Sequence, residues 1–154
     1  MVLKELNELK WIVLRARSIG KKVVMTNGCY DVIHRGHIDI LRKMSEFGDV
    51  FIVALNSDSS VKKFKGEGRP INNEEDRAFV VSGIKGVDYV VIFEEDNPLK
   101  LLDELKPDFF VKGGAGIGER IRAEKEFVES YGGKMICLDL VEGYSSSDVI
   151  ERLG

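Results

Sequence analysis

A chain of 154 residues is long enough for one domain with a sizeable core, and 44% hydrophobic and 32% charged residues are typical of a globular protein. A net charge of −3 excludes a general nucleic-acid binder, which usually carries a strongly basic face. Cys29 and Cys137 lack a zinc-binding or CxxC spacing, so we expect free thiols in a reducing compartment. Charges interrupt the first twenty residues and no apolar run approaches about 18 residues, so we expect a cytoplasmic protein without signal peptide or membrane span.

The pattern of predicted elements begins with apolar residues at helical spacing over residues 3–17, which predicts an amphipathic helix that ends at Gly20. Short β-rich runs then alternate with helical stretches. The predicted strands are 22–25, 50–55, 88–92, 109–111 and 134–138. The predicted helices lie near 36–47, 73–84, 97–105 and 119–131, and a last helix begins near Ser147. No linker, repeat or low-complexity tract divides this pattern.

Apolar strands that alternate with helices predict a parallel sheet covered on both faces. We therefore expect an α/β fold, a Rossmann-like, doubly wound parallel sheet of five strands with helices on both faces. Residues 1–154 form a single domain on which helix 3–17 packs. Ligands of such a sheet bind beyond the carboxyl ends of the strands.

The first strand-to-helix turn carries the sharpest motif, TNGCYDVIHRGH at residues 26–37. His34 and His37 are three residues apart, so at the start of a helix they point the same way. Gly36 leaves room for a phosphate to approach the backbone, and the helix N-terminus offers N–H groups and a positive dipole end. The motif therefore predicts a site that stabilises negative charge at phosphorus. Two histidines without a third ligand nearby make a poor metal site, so we expect no metal held by the protein.

Three further segments are candidates for ligand contacts. Residues 62–70, KKFKGEGRP, place four cations within eight residues beside glycines. Composition alone favours a solvated surface loop, but next to the HxGH motif the segment predicts a mobile loop that closes over phosphates. Serines 145–147 precede the last helix, where ordinary N-capping is a sufficient explanation. Residues 114–118 hint at a dinucleotide fingerprint, but Glu119 stands where GxGxxG needs glycine, so a loop near a base or a flexible turn fits better.

Five motifs follow one another along the chain: TNGCYDVIHRGH, LNSDSSVKKFKGEGRPINNEEDR, VDYVVIFEEDNP, PDFFVKGG and EGYSSSDVI. Together and in this order they resemble the HxGH nucleotidyltransferase superfamily, which includes cytidylyltransferases, pantetheine-phosphate adenylyltransferase and FMN adenylyltransferase. Within the superfamily the resemblance is greatest to the D-β-D-heptose 1-phosphate adenylyltransferases of the ADP-heptose synthase type. It covers about residues 22–153.

The resemblance implies transfer of the AMP moiety of ATP to a sugar 1-phosphate, with Mg²⁺ bound through the phosphates. It implies small-molecule partners, no nucleic acid or membrane, and a homodimer, which related enzymes often form. The implied catalytic residues are His34, His37 and Lys65. The implied nucleotide-binding residues are Asn27, Gly28, Cys29, Tyr30, Gly36, Gly143, Ser145, Ser146 and Ser147. The implied substrate-binding residues are Asp31, Lys63, Arg69 and Arg77, of which Arg77 equally fits a structural role.

Departures from the family patterns leave the substrates open. Residues 112–116 read KGGAG where heptose enzymes typically read KGGDY, which affects expected base or sugar contacts. Residues 85–90 read KGVDYV where glycerol-phosphate cytidylyltransferases read RYVDEV, and Leu140 replaces their arginine in RTEGISTT. These two changes weaken a cytidylyl interpretation more than an adenylyl one. Glycerol-3-phosphate cytidylyltransferase, FMN adenylyltransferase and a nucleotide-binding module without turnover remain alternatives.

Overall fold

A computed structural model describes residues 2–114, 118–139 and 146–153, which form five strands and seven helices. The strands are β1 (Val23–Gly28), β2 (Val50–Asn56), β3 (Tyr89–Phe93), β4 (Phe109–Gly113) and β5 (Lys134–Leu138). The helices are α1 (Leu6–Ser18), α2 (Arg35–Ser45), α3 (Asp58–Lys65), α4 (Glu74–Ser82), α5 (Leu99–Leu105), α6 (Glu119–Ser130) and α7 (Ser146–Leu153). None of the helices in these three stretches is long and apolar enough to cross a membrane.

All strands are parallel and lie in the order β3-β2-β1-β4-β5. The chain therefore builds the sheet outwards in one direction from β1 to β3 and then crosses to the other side of β1 for β4. This reversal creates a crevice at the carboxyl ends of β1 and β4, because the connections that follow these strands leave in opposite directions. The predicted doubly wound α/β fold is confirmed.

Two apolar cores cover the two faces of the sheet, because successive side chains of a strand point to opposite sides. Val23 and Met25 of β1 pack in the core that includes residues of α1, α5 and α6, whereas Val24 packs in the core that includes residues of α2 and α4. All three β1 side chains are fully buried. Burial of each such side chain contributes about 1.5–3 kcal/mol. Helices on both faces, as predicted, thus hold β1 rigidly in the middle of the sheet.

The N-terminal segment differs from its prediction. Helix α1 begins at Leu6, three residues later than expected, and a capping box between Glu5 and Glu8 marks its start. The residues before it extend along the edge strand β3: Lys4 N–H donates to the Val90 carbonyl at 2.8 Å, and Val90 N–H donates to the Val2 carbonyl at 3.0 Å. This short pairing covers part of the exposed edge of β3.

Helix α3 is a second difference, because the sequence pattern indicated no helix here and residues 62–70 were expected to form a mobile loop. Ser57 caps the helix, since its side chain accepts a hydrogen bond from Ser60 N–H at 3.3 Å. Lys62, Lys63 and Lys65 occupy its last turn, where cations interact favourably with the helix dipole. Three of the four predicted loop cations are therefore held on a helix, and Gly66 ends it with a φ of +91°.

Candidate active site at the first strand-to-helix turn

The two histidines of the HxGH motif hold each other at the start of α2. His34 is the N-cap residue, and its Nδ1 accepts a hydrogen bond from Gly36 N–H at 3.0 Å. His37 Nδ1 accepts in turn from His34 N–H at 3.2 Å, and the two ring centroids are 3.9 Å apart. Because Nδ1 is the acceptor in both rings, the proton of each neutral imidazole is assigned to Nε2. Each ring therefore has Nε2–H as its donor atom.

Both imidazoles are neutral at pH 7. Partial burial lowers the pKa of His34 below its usual value. Burial is also the main cause that lowers the pKa of His37 to about 4, and the nearby charges of His34 and Lys65 lower it further. Before a ligand binds, the pair thus offers hydrogen bonds without a fixed positive charge. An anion placed beside the rings would favour their protonated forms.

The loop between β1 and α2 follows an unusual path around Tyr30. Tyr30 and Val32 have φ values of 50° and 52°, in the left-handed region that side chains with a Cβ rarely adopt. The Tyr30 ring is buried and packs edge-on against His37, with ring centroids 5.6 Å apart. It also leaves no space for a side chain at Gly28, because a Cβ added there would lie 2.8 Å from Tyr30 Cε2. Burial raises the pKa of Tyr30 to about 12, so its hydroxyl stays protonated. The ring therefore positions His37.

Asp31 joins this turn to the segment after α3. Its carboxylate is 2% exposed and accepts hydrogen bonds from Ile71 N–H at 2.6 Å and Asn72 N–H at 3.0 Å. Arg69 Nε lies 3.4 Å from the same carboxylate. The predicted substrate residues Asp31 and Arg69 thus form an ion pair at the crevice, and Asp31 holds residues 69–72 against the HxGH turn.

Arg77, on α4, is placed behind the site. Its side chain is 1% exposed, and Nη1 donates to the carbonyls of Cys29 and Asn56, both at 2.8 Å. Nε donates to the Asn72 carbonyl at 2.9 Å, and Nη2 pairs with Asp58 at 2.8 Å. These contacts tie the ends of β1 and β2 to α3 and α4, so they account for a buried arginine without a ligand.

A cavity of about 230 Å³ opens beside the HxGH turn. Its walls include nine of the predicted site residues: Asn27, Gly28, Cys29, Tyr30, Asp31, His37, Lys65, Arg69 and Ser146. Four more wall residues had no predicted role: Thr26, Ile40, Met44 and Gly113. Thr26 was visible within the TNG motif, and Ile40 and Met44 follow the histidines at helical spacing, which is the signal that could have indicated them.

The remaining predicted residues lie around this cavity or away from it. His34 and Gly36 form the adjoining start of α2. Lys63 is exposed and pairs with Asp96 at 2.7 Å, so the structure separates it from Lys65, which faces the cavity. Arg77 lies in the interior, and Ser147 is exposed one residue beyond Ser146. Gly143 and Ser145 lie outside the described residues.

The start of α7 closes the far side of the cavity. Ser146 Oγ donates to the Val32 carbonyl at 3.2 Å, which brings the N-terminus of this helix next to the HxGH turn. Two helix N-termini, those of α2 and α7, therefore meet at one cavity with Lys65 and Arg69. Backbone N–H groups at helix starts and cationic side chains together suit the binding of a phosphate chain.

The described polar groups of the site form no cluster of metal-ligating side chains. Within residues 2–114, 118–139 and 146–153, no group of three or more His, Cys, Asp and Glu side chains is arranged to hold a metal ion.

A family model described as "Cytidylyltransferase-like" matches residues 25–152, which include all five strands except the first residues of β1. The chain belongs to this family, and the protein is a nucleotidyltransferase. Its substrates therefore include a nucleotide.

Two curated relatives with the same name are similar to nearly the whole chain. The chain is 43% identical over 151 residues to the "Bifunctional protein HldE" of Geobacter metallireducens, covering 98% of this chain and 31% of that protein. It is 48% identical over 146 residues to the protein of the same name from Haemophilus influenzae, covering 95% and 30%. The chain thus spans about a third of the length of the curated relatives that it matches.

Solved structures share the fold. The lipopolysaccharide core biosynthesis protein from Thermoplasma volcanium aligns with a TM-score of 0.69 and 26% identity, covering 80% of this chain and all of that one. A pantoate-β-alanine ligase from Francisella tularensis, with bound β-γ ATP and β-alanine, aligns with a TM-score of 0.66 over 97% of this chain and 76% of that one. At 14% identity, the second similarity is one of fold alone.

Proposed function

We propose that this domain transfers the AMP moiety of ATP to D-glycero-β-D-manno-heptose 1-phosphate, giving ADP-heptose and pyrophosphate. The observation that carries the proposal is the pair of neutral histidines, His34 and His37, fixed with Nε2–H as donors where two helix N-termini meet. The similarity to HldE proteins over 95–98% of the chain supports the heptose acceptor, since the motifs resemble those of ADP-heptose synthases.

The proposed reaction is a direct displacement at phosphorus. A phosphate oxygen of the sugar attacks the α-phosphorus of ATP in line, a new P–O bond forms, and the bond to the bridging oxygen of the pyrophosphate breaks. Such chemistry depends on positioning and on stabilising charge, so no covalent intermediate with the protein is needed. His34 and His37 would donate hydrogen bonds to the α- and β-phosphates as charge grows on the leaving group.

Cationic side chains would neutralise the remaining phosphate charge. Lys65 and Arg69 face the cavity, whereas Lys63 would have to leave Asp96 to reach a ligand. An Mg²⁺ ion would arrive with ATP and be held by its phosphates. Such an ion supplies charge neutralisation on the triphosphate. Asn27 and Ser146 would orient the nucleotide from opposite walls of the cavity.

A pyrophosphate-release assay tests the proposal. ATP and CTP are each offered with heptose 1-phosphate, glycerol 3-phosphate and FMN, and the product is identified by mass spectrometry. We expect turnover with ATP and heptose 1-phosphate. Preferred turnover of CTP with glycerol 3-phosphate, or of ATP with FMN, would replace this assignment by another within the family. ATP binding without turnover of any pair would indicate a binding module.

A variant series tests the role of the histidines. His34→Ala is expected to lower turnover by about 10²–10³-fold, as loss of one donor to developing charge typically does. His34→Asn keeps an N-cap side chain for α2, so it separates loss of the helix cap from loss of the imidazole. Arg42→Ala, on the exposed side of α2, is the matched control and should retain activity. Near-normal turnover by His34→Ala would contradict the assignment.

A further inference from the structure

A second cavity, of about 310 Å³, lies at the same edge of the sheet. It shares Asn27, Cys29 and Lys65 with the first cavity, so the two are neighbours separated by these side chains. The other walls come from the ends of β2 and β4, from α3 and α6, and from the segment between β3 and α5. The volume is at the lower end of the range for small-molecule sites. Apart from the three shared residues, none of its lining residues had a role predicted from the sequence.

Its floor is a buried polar network. Lys112, at the end of β4, donates from Nζ to Asn27 Oδ1 at 2.7 Å and lies 3.5 Å from Glu124 Oε2. The Glu124 side chain is 1% exposed, although it also faces the cavity. Burial of a carboxylate is costly even beside a lysine, so a charged pair at the base of a cavity is poor evidence for stability alone. Through Asn27 the pair is connected to the HxGH turn.

The charges in this cavity balance. Among the lining residues, Lys65 and Lys112 balance Asp96 and Glu124, and Asp96 also pairs with Lys63 at 2.7 Å, so the lining itself carries no net positive charge for a second triphosphate. It is nevertheless dense in hydrogen-bonding groups, because Asn27 and Asn56 also contribute amides, while Phe64 and Pro98 add apolar surface. Carboxylates accept hydrogen bonds from the hydroxyl groups of a ligand, whereas amide and ammonium groups donate hydrogen bonds to its hydroxyl oxygens. A neutral body with many hydroxyl groups matches this lining better than a second polyanion or an apolar chain does.

We propose that this second cavity is the acceptor subsite, in which Glu124 and Asp96 accept hydrogen bonds from the hydroxyl groups of a polyhydroxylated sugar. The phosphate of that sugar would lie at the border between the cavities, next to Lys65, where it faces the α-phosphate of the nucleotide. Lys112 is then a positioning residue, since it holds Glu124 and Asn27 together. This inference rests on the proposed function and deepens it, because it names the residues that select the acceptor.

The test compares Glu124→Gln with Glu126→Gln, an exposed neighbour on α6. Removal of the charge from one acceptor of a hydroxyl hydrogen bond should raise the KM for heptose 1-phosphate about tenfold or more. We expect the KM for ATP to change less than twofold and Glu126→Gln to behave as wild type. A purely structural role for Glu124 would lower the melting temperature and affect both substrates together. Asp96→Asn, on an exposed loop, is a second variant that does not disturb the core.

Equilibrium binding separates this inference from the proposed function. Calorimetric titrations of wild type and Glu124→Gln use heptose 1-phosphate, with inorganic phosphate as the comparison ligand. Tighter binding of the sugar phosphate by wild type, reduced towards that of phosphate in Glu124→Gln, supports the subsite even if no AMP is transferred. Normal AMP transfer with unchanged KM in both Glu124→Gln and Asp96→Asn would overturn the subsite and leave the proposed function intact. Equal affinity of wild type for sugar phosphate and phosphate would also overturn it.

Discussion

Replacement of Arg77 with methionine removes the guanidinium that joins four parts of the site while keeping much of the side-chain volume. Three backbone carbonyls, those of Cys29, Asn56 and Asn72, lose their donor, and each such loss in the interior costs about 1–1.5 kcal/mol. The ion pair to Asp58 adds less, because that carboxylate is 41% exposed. We therefore expect the free energy of unfolding to fall by about 3–5 kcal/mol, a large part of the 5–15 kcal/mol typical of a domain.

Urea unfolding followed by circular dichroism measures this change, and thermal unfolding should show a drop of about 6–20 °C for a chain of this size. Arg42→Met, on the exposed side of α2, is the matched control and should stay within about 0.5 kcal/mol of wild type. If Arg77→Met unfolded within about 1 kcal/mol of wild type and instead raised the KM of one substrate, the structural argument would be refuted. Arg77 would then be the substrate-binding residue that the family resemblance equally allows.

Three other predictions concern the crevice. Because the pKa of His37 is about 4, the unfolded chain binds more protons than the folded chain between about pH 6.5 and 4. The free energy of unfolding should therefore fall by about 2 kcal/mol as pH falls through this window, once the partial exposure of His37 is discounted. Urea titrations should show a flatter pH profile for His37→Asn. Asp31→Asn loses the charge that holds residues 69–72 and should cost about 1–3 kcal/mol in the same assay. Lys65→Met should weaken ATP binding most at low salt, because a charge contact is screened as salt increases. Calorimetry at two salt concentrations measures the loss of ATP affinity, with Lys62→Met as the control.

Each of these predictions can fail separately. A histidine NMR titration that places the pKa of His37 near 6.5 would contradict the predicted pH dependence of stability. Wild-type stability of Asp31→Asn would show that the backbone bonds of Ile71 and Asn72 are replaced without cost. Equal salt dependence of ATP binding in Lys65→Met and wild type would place Lys65 away from the phosphates.

The overall fold could be predicted from the sequence because its signals are local. Apolar strands and helical stretches alternate regularly, and all five strands lie where the pattern indicates them. The end of β1 was less visible: the strand continues through Thr26 and Asn27 to Gly28, beyond its predicted end at Met25, because these polar residues still pair with β2. The motif of residues 26–37 therefore begins inside the sheet, and its two histidines follow at the start of α2.

Helix α3 was missed because its sequence has little apolar pattern. Val61 is buried, but Phe64 is 41% exposed and lysines surround it, so no continuous stripe marks a helix. The signal that was present is the Ser57 N-cap followed by Asp58, a typical helix start. Without that helix, the different directions of Lys63 and Lys65 could not be inferred from their spacing.

Contacts between distant segments explain the rest of what the sequence did not reveal. Arg77 bonds to the Cys29 carbonyl across 48 positions of the chain, and Lys112 reaches Asn27 across 85. Such pairs depend on which strand ends the topology brings together, and a single sequence contains no pattern for them. The roles proposed for Glu124 and Asp96 therefore rest on the three-dimensional arrangement alone.

Strand β1 pairs along its whole length with β2 but over a short stretch with β4. Six residue pairs join β1 to β2, whereas within the described strands two pairs, Val24 with Phe109 and Met25 with Phe110, join β1 to β4. Beyond Met25 the two strands are bridged by the Lys112–Asn27 hydrogen bond instead of by a backbone ladder. Both cavities are lined by residues from this part of β1 and β4, Asn27 and Gly113 in the first and Asn27 and Lys112 in the second, so the space of the site opens where the backbone ladder between these strands ends.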